Sequence, residues 1–405
     1  MKSAQVGSCA VLLMGLALAG TPVVATAKSI TVRPGGSIQA AVDKAAPGDT
    51  VKVLSGDYYE TNPAAPGTAA VLITKPLRLM ASGQVRILPY GAQTDGIVVQ
   101  GTEDHVIDGV EINGFIVEGF EDNGIWLVHV NHFNIENNVS INNLENGIWP
   151  TLSANGQVKK NVSYGSKDSA LWVEASDNVR IINNDLHHSP TGLEVTISKN
   201  VTIEDNDVHH NTVGIGLYHP AAAGLDSPWP AEELGNWRIT NNYLHDNNEP
   251  NTAEGGEVEL IPPGLGMLIL GVDRVDVQKN RIENNVFVGV GMIDWCVAVD
   301  CTRFGPPPGH ENTALDDVQV TENKFADNHT VAFPEVPFPG ADILYVGGGV
   351  FGLPPGENTC ASGNKLIKTP GSPPPGSQGP KPALVIALTD PLPLCQSGGH
   401  GGGGH

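Results

Sequence analysis

The chain of 405 residues is poor in aromatic residues, in positive charge and in cysteine, and each shortage narrows what it can be. Aromatics make up 5% of the sequence against 49 glycines and 31 prolines, as a fold with many turns requires. Lys and Arg number 22 against 44 Asp and Glu, and the formal net charge of −22 argues against nucleic acid or an anionic membrane surface as partner. The acidity fits an exported soluble protein, or one that uses carboxylates to hold cations, and cations could bridge it to an acidic polysaccharide. Beyond the N-terminus no stretch is long and apolar enough to span a membrane. Lys2, the apolar run from Cys9 to Ala19 and the small residues Ala25, Thr26 and Ala27 read as a secretory signal, with the mature chain starting near Lys28. Four cysteines remain in the mature chain, and their spacing in an exported protein favours disulfides pairing Cys296 with Cys301 and Cys360 with Cys395.

What the sequence has in abundance is repetition. ALWVEASDNVRIINNDLHHSPT from Ala170 and GLEVTISKNVTIEDNDVHHNTV from Gly192 are two turns of one unit. Each has an apolar alternation (Leu171, Val173; Leu193, Val195), a second one (Val179, Ile181; Val201, Ile203), an Asn (Asn184; Asn206) and one more apolar residue (Leu186; Val208). Period-two alternation puts these apolar residues on one face, so three short strands per turn can wind around a shared interior. A period this short with strands and no helix indicates a parallel β-solenoid. The aligned asparagines are Asn138, Asn161, Asn184, Asn206, Asn242, Asn280 and Asn323, the first intervals being 23, 23 and 22 residues. A buried Asn at a corner can satisfy backbone groups above and below it, so this ladder is read as structural. Phe115 stands 23 residues before Asn138, where an aromatic residue replaces Asn.

Before the regular turns, Ser37 is a plausible N-cap for a short amphipathic helix from Ile38 to Ala45 that would cover the open first coil, with irregular coils expected from Thr50 to about Gly119. Insertions at 218–235, 246–264 and 294–315 all emerge beside first strands, and insertions on one side of a solenoid commonly mark the binding face. Residues 370–382 read as an extended Pro-rich linker, Ala383 to Leu388 as one last strand, and the closing SGGHGGGGH as disordered.

If the apolar residues of the first strands point inward, those between them point outward: Trp126, Trp149, Trp172, Glu194, Gly216, Leu268 and Gly291 in coil order. With coils about 4.8 Å apart, three indoles would form a ladder about 10 Å long, close to a disaccharide. Two readings are open. One is a stacking surface for sugar rings, with Glu174 and Glu194 beside it; the other is a self-stacked ladder covered by the insertions and contributing packing energy alone. Tyr218, His219 and Asp294, near the far end, are with Glu194 the candidates for catalysis. A second row, His187, His209 and His245, lies three residues after the ladder asparagines, and its imidazoles could converge on Zn or Cu or simply line a polar turn. Calcium is the cation that the carboxylates would suit.

The opening SIQAAVDKAAPGDTVKV, followed by turns of the form GIxL…NVxIxxN, resembles the right-handed parallel β-helix proteins of the pectin-lyase-like superfamily. More narrowly, the segment from ALWVEASDNVRI through HDNNEPNTAEGGEVELIPPGLGMLIL is similar to exported bacterial parallel β-helix repeat proteins without an established role. The resemblance covers residues 30 to 330 and implies an all-β, right-handed single-stranded parallel β-helix. The implied organisation is a signal peptide over residues 1–27, the β-helix with its N-terminal cap over 28–365, and a Pro/Gly-rich extension over 366–405. Enzymes of the superfamily are polysaccharide lyases, hydrolases and epimerases. Their signatures are missing: GHG occurs only at Gly399 to Gly401, in the tail, no DPHD-type motif occurs, and no basic residue stands on the groove strand. The resulting expectation is an exported protein that binds, and in one version modifies, a polysaccharide along the first-strand face. Its rivals are a periplasmic metal-handling or redox-accessory scaffold using the His row, since some β-helix relatives serve copper-enzyme maturation, and a purely structural scaffold.

Overall fold

The structure, a computed structural model, describes residues 27–61, 69–218, 227–255, 257–298, 313–331, 336–351, 356–367, 383–388 and 390–396. The expected signal peptide up to residue 26, His219, Cys301, the linker at 370–382 and the closing segment 397–405 lie outside these residues.

The repeat folds as a parallel β-helix. Ser169–Glu174, Asp177–Ile182 and Asp185–His187 form one coil, and Thr191–Thr196, Thr202–Glu204 and Asp207–His209 the next. The two lie parallel and in register, with Leu171 beside Leu193, Ile181 beside Ile203 and Leu186 beside Val208. Among the described residues, the first strands of successive coils make a sheet of 11 strands, and the second and third strands, together with the N-terminal strand, a sheet of 20. In the early coils the second and third strands merge into the long strands Thr50–Tyr59, Leu77–Leu88 and Ile107–Glu118. The pairing of these long strands shifts register between Leu54 and Gly56 and between Met80 and Val85, which is the irregularity expected there. Alternation decides the interior: Ile125, Leu127, Ile148, Leu171, Val173, Leu193, Val195, Ile215, Leu217, Met267 and Ile269 are all 0% exposed.

Polar ladders turn the corners. Asn161 N–H donates to Asn184 Oδ1 at 2.9 Å, the Asn161 side-chain amide donates to the same oxygen at 3.0 Å, and Asn184 repeats the arrangement on Asn206. The ladder begins at Phe115, whose N–H donates to Asn138 Oδ1 at 3.0 Å, and runs to Asn364. Each of its asparagines from Asn138 to Asn323 follows a residue in the left-handed conformation, Asn183 (φ 55°) before Asn184 for example, and this residue makes the bend. A second ladder stands five residues later, at Asn143, Ser166, Ser189, Asn211, Asn247, Asn285 and Asn328, with a break at Ser166, whose Oγ is unmatched among the described residues. A serine ladder, Ser153, Ser176 and Ser198, serves the corner after the first strand.

The open N-terminal coil is covered as the sequence indicates. Ser37 Oγ accepts from Ala40 N–H at 2.9 Å and starts the helix Ile38–Lys44, which buries Ile38, Ala41 and Val42. Gln39 then closes the edge of the first strand Ala69–Ile73: its side chain accepts from Leu72 N–H at 2.6 Å and donates to Leu72 O at 3.1 Å. A covered edge cannot recruit a foreign strand. At the other end the expected last strand is present: Val385–Leu388 pairs with Ala341–Val346, and the Cys360–Cys395 disulfide fastens the last coil. Cys296 is also in a disulfide.

Candidate functional site: the outward face of the first strands

On the first-strand sheet every second side chain leaves the core, and register stacks equivalent residues into rows. Trp126 pairs with Trp149, Trp172 with Glu194, Glu194 with Gly216, and Gly216 with Leu268. The indole ladder exists: ring centroids are 5.2 Å apart, with interplanar angles of 10° between Trp126 and Trp149 and 6° between Trp149 and Trp172. Its geometry corrects the expectation of sugar rings stacked on indole faces. Both faces of Trp149 are taken by its neighbours, and Trp126 packs its other side against Ala69, Leu72 and Val98. What the half-exposed ladder offers is indole edges.

The edges lead to polar groups. Trp172 Nε1–H donates to Thr196 Oγ1 at 2.9 Å, whereas the buried Nε1 atoms of Trp126 and Trp149 have no hydrogen-bond partner. Glu174, 1% exposed, accepts from Thr151 Oγ1 at 3.2 Å through one oxygen. Its other oxygen, Oε1, is unpartnered, although the Trp149 indole lies near enough to favour the charged form slightly. Burial dominates and pushes the Glu174 carboxyl up to about 7. Glu194, also buried, accepts from Ser169 Oγ at 2.6 Å.

Tyr218 completes the row. A Cβ on Gly216 would lie 2.1 Å from the Tyr218 hydroxyl, so the absent side chain makes room for the phenol beside Glu194. That phenol is buried, lies near Thr191 without a hydrogen bond of good geometry among the described residues, and has its pKa raised well above the ordinary value by burial and then by the charge of Glu194. The structure thus brings Glu194 and Tyr218 together. Asp294 is separate, on the strand two spacings, about 10 Å, beyond that of Tyr218. There its Oδ1 accepts from Cys296 N–H at 2.8 Å at the start of the short helix Trp295–Ala298.

Sequence reasoning missed a row of carboxylates in the turn before the first strands. Asp122, Glu145 and Asp168 stand four residues before Trp126, Trp149 and Trp172, and their backbones are bonded coil to coil. Burial, then the neighbouring Glu145, pushes Asp168 up to about 7, and burial with Asp122 raises Glu145. The 23-residue interval was the available signal, hidden because Asp and Glu alternate.

The insertions border this face on both sides. Leu234 buries itself against Ala175 and Ile197 at the corner after the strands, with Trp229 packed beside them and Lys199 Nζ 4.6 Å above its ring. At the opposite edge Thr212 Oγ1 donates to Glu249 O at 3.0 Å, and Lys167 pairs with Glu254 at 3.3 Å. Beyond Tyr218 the face turns apolar around a cavity of about 310 Å³ lined by Leu268, Gly291, Ile293, Trp295, Phe338 and Leu344 among others.

The His row lies on the third strands and is a stack. His187, His209 and His245 are face to face at 4.9 and 5.0 Å, with Tyr164 on the first at 4.6 Å. Their ring nitrogens are engaged: His187 Nδ1 with His188 at 2.6 Å, His209 Nδ1 with His210 at 2.7 Å, His209 Nε2 with Asp185 at 3.0 Å, and His245 with Asp207 and Asp246 at 3.0 and 2.7 Å. Parallel rings cannot aim their in-plane lone pairs at one ion. Among the described residues no group of three or more His, Cys, Asp or Glu is placed to hold a metal ion.

Comparison with known proteins places the chain. The model of the right handed beta helix region matches residues 90–227 and 123–302, together more than half of the chain. The chain belongs to the right-handed β-helix family. No curated protein matches it. Among solved structures, this β-helix is similar to the A-module of a mannuronan C-5 epimerase from Azotobacter vinelandii, with TM-score 0.62 and 17% identity over 81% of each chain. It is also similar to the DFA-IIIase of Arthrobacter chlorophenolicus A6 in complex with DFA-III (TM-score 0.52, 13% identity, 89% of this chain and 90% of that one). The Dettilon tailspike protein matches with TM-score 0.50 and 15% identity, over 84% of this chain and 57% of that one. At such identities the likeness is one of fold.

Proposed function

We propose that this β-helix protein binds a polysaccharide along the outward face of its first strands, from Trp126 to Tyr218. The observation that carries the reading is a failure of hydrogen-bond matching concentrated in one place. Of the eight buried, unpartnered side-chain polar atoms among the described residues, five belong to this face: Trp126 Nε1, Trp149 Nε1, Glu174 Oε1, Thr191 Oγ1 and Tyr218 Oη. Folded proteins rarely leave such atoms unmatched, because each costs about 1 to 3 kcal/mol. A chain of sugar hydroxyls supplies both donors and acceptors for them, while the indole edges supply apolar contact. Similarity of fold to an epimerase and to a DFA-IIIase supports the same class of ligand.

A catalytic version of this reading would rest on Glu194 with Tyr218, and on Glu174 as a carboxyl that still holds a proton near neutrality. His219 stays in that version as a candidate beyond the described residues. The Cys360–Cys395 disulfide favours an oxidising compartment, the periplasm or the exterior. Among the described residues no helix is long and apolar enough to cross a membrane.

The test is a glycan array followed by titration of Tyr218→Phe. Among the described residues the hydroxyl makes no hydrogen bond of good geometry, Thr191 being its nearest candidate, so its removal should change folding stability little. It should lower oligosaccharide affinity about tenfold, the worth of one hydrogen bond to a buried group. An array without a binder, or unchanged affinity in both Tyr218→Phe and Glu194→Gln, contradicts the reading.

A further inference from the structure

Among the described residues, the strand rows of the face that the proposed function assigns to a glycan carry charge of one sign. The row Trp126, Trp149, Trp172, Glu194, Gly216 contains no Lys, Arg or His. The row two residues on, which runs Val128, Thr151, Glu174, Thr196, Tyr218, contains none either. Along the edge of both runs the carboxylate row: Glu145 N–H donates to Asp122 O at 2.9 Å and Asp168 N–H to Glu145 O at 3.2 Å. One carboxylate thus recurs per coil, about every 4.8 Å, roughly the length of a single sugar unit. Lys167, beside this row, is paired with Glu254 at 3.3 Å.

A polyuronate on this face would set its own carboxylates against these, and like charges repel strongly where water is excluded. A divalent cation could reconcile the two, but the described residues place no group of three or more His, Cys, Asp or Glu to hold one. The independent sign of what is missing is Glu174: the residue is 1% exposed, yet Oε1 accepts no hydrogen bond. The one donor near it, the Trp149 indole, is neutral and makes no hydrogen bond of good geometry to it, and a positively charged donor serves a carboxylate best.

We propose that the glycan bound here carries free amino groups, an oligomer of glucosamine or galactosamine, with its ammonium groups on the Asp122, Glu145 and Asp168 row and on Glu174. This rests on the proposed function and narrows its ligand to one chemical class. The carboxyls of Asp168 and Glu174, both held up to about 7 by burial, are the groups that an ammonium would return to their charged form. The apolar faces and hydroxyls of the same sugars meet the indole edges, Thr191 and Tyr218.

The experiment is calorimetric titration of the full chain at near-physiological salt with four probes: a glucosamine hexamer, the N-acetylglucosamine hexamer, a mannuronate hexamer and hexalysine. The glucosamine hexamer should bind at least about tenfold more tightly than its acetylated counterpart, as expected for charge-assisted hydrogen bonds. The mannuronate hexamer should not bind, and hexalysine, which carries charge without sugar, should bind more weakly than the glucosamine hexamer. The isosteric variants Glu174→Gln and Asp168→Asn, shown to be folded by thermal unfolding, should each reduce the preference for the free amine. Equal affinity for the acetylated hexamer, tighter binding of the mannuronate, or hexalysine binding as tightly as the glucosamine hexamer would overturn this inference while leaving glycan binding intact. No binding of any sugar, here and on the array, removes both.

Discussion

The corner after the second strand and the outward face of the first strand repeat with the same period, on the same coils, and treat their polar atoms in opposite ways. At the corner, Asn138, Asn161, Asn184, Asn206, Asn242, Asn280 and Asn323 are all 0 or 1% exposed, and their side-chain amides donate to backbone carbonyls and to the next Asn. On the outward face, buried indole, carboxyl and phenol groups keep unmatched atoms, and two carboxyls are held up to about 7. A repeat copied for stability satisfies itself from coil to coil. Where copying leaves polar atoms buried and unmatched, stability does not account for the residues, and the proposed ligand would.

That contrast can be broken first at the corner. Asn184→Ala removes the acceptor of two bonds from Asn161 and the donor to Val158 O and Asn206 Oδ1, leaving buried groups unmatched above and below. A loss of about 3 to 5 kcal/mol is expected from urea unfolding, the mark of a broken buried network.

On the face the sign should reverse. Glu174 has a folded pKa raised from 4.5 to about 7, so the folded state binds more protons than the unfolded one between those values, and stability falls as pH rises through that window. Glu174→Gln cannot ionise. It should therefore match the parent near pH 4 to 5 and exceed it at pH 8 by on the order of 2 kcal/mol in unfolding free energy. A variant less stable at pH 8 would mean that Glu174 is already satisfied within the chain.

Trp149→Phe keeps a stacked aromatic ring and removes an N–H that lies near Glu174 without a hydrogen bond of good geometry. Its stability should change by no more than about 1 kcal/mol in either direction, the smaller ring offsetting the relief of the N–H.

The smallest effect belongs to the His stack. Burial lowers His187 to about 4, so the folded state binds fewer protons than the unfolded one below pH 6.5, and stability contributed by the neutral ring is lost as pH falls toward 4. His187→Gln should flatten that loss by less than about 1 kcal/mol for a half-exposed group, read from unfolding midpoints at pH 4 and 7.

The sequence displayed the fold through its alternation, because apolar positions at period two and one Asn per coil have a single geometric solution. The second ladder escaped because Ser166 and Ser189 interrupt its asparagines, although each member stands five residues after one of the first. For the outward rows, counting coils revealed which residues align and not how aligned rings meet. In a parallel, in-register sheet identical rings on adjacent coils stack face to face. This turned the indoles into a ladder with its inner faces consumed, and three imidazoles into a pile rather than a ligand set. Asp294 was grouped with Tyr218 because both begin insertions, and only the strand order separates them.

The central claim is that the unmatched atoms of the first-strand face are where a ligand binds, and side-chain NMR tests it most directly. The indole N–H resonances of Trp126 and Trp149, assigned through Trp→Phe variants, are followed while a glucosamine hexamer is titrated into ¹⁵N-labelled protein. The account predicts that both move with the titration while the side-chain amides of Asn161 and Asn184 stay fixed. Stationary indoles at saturation of a ligand bound elsewhere would contradict it.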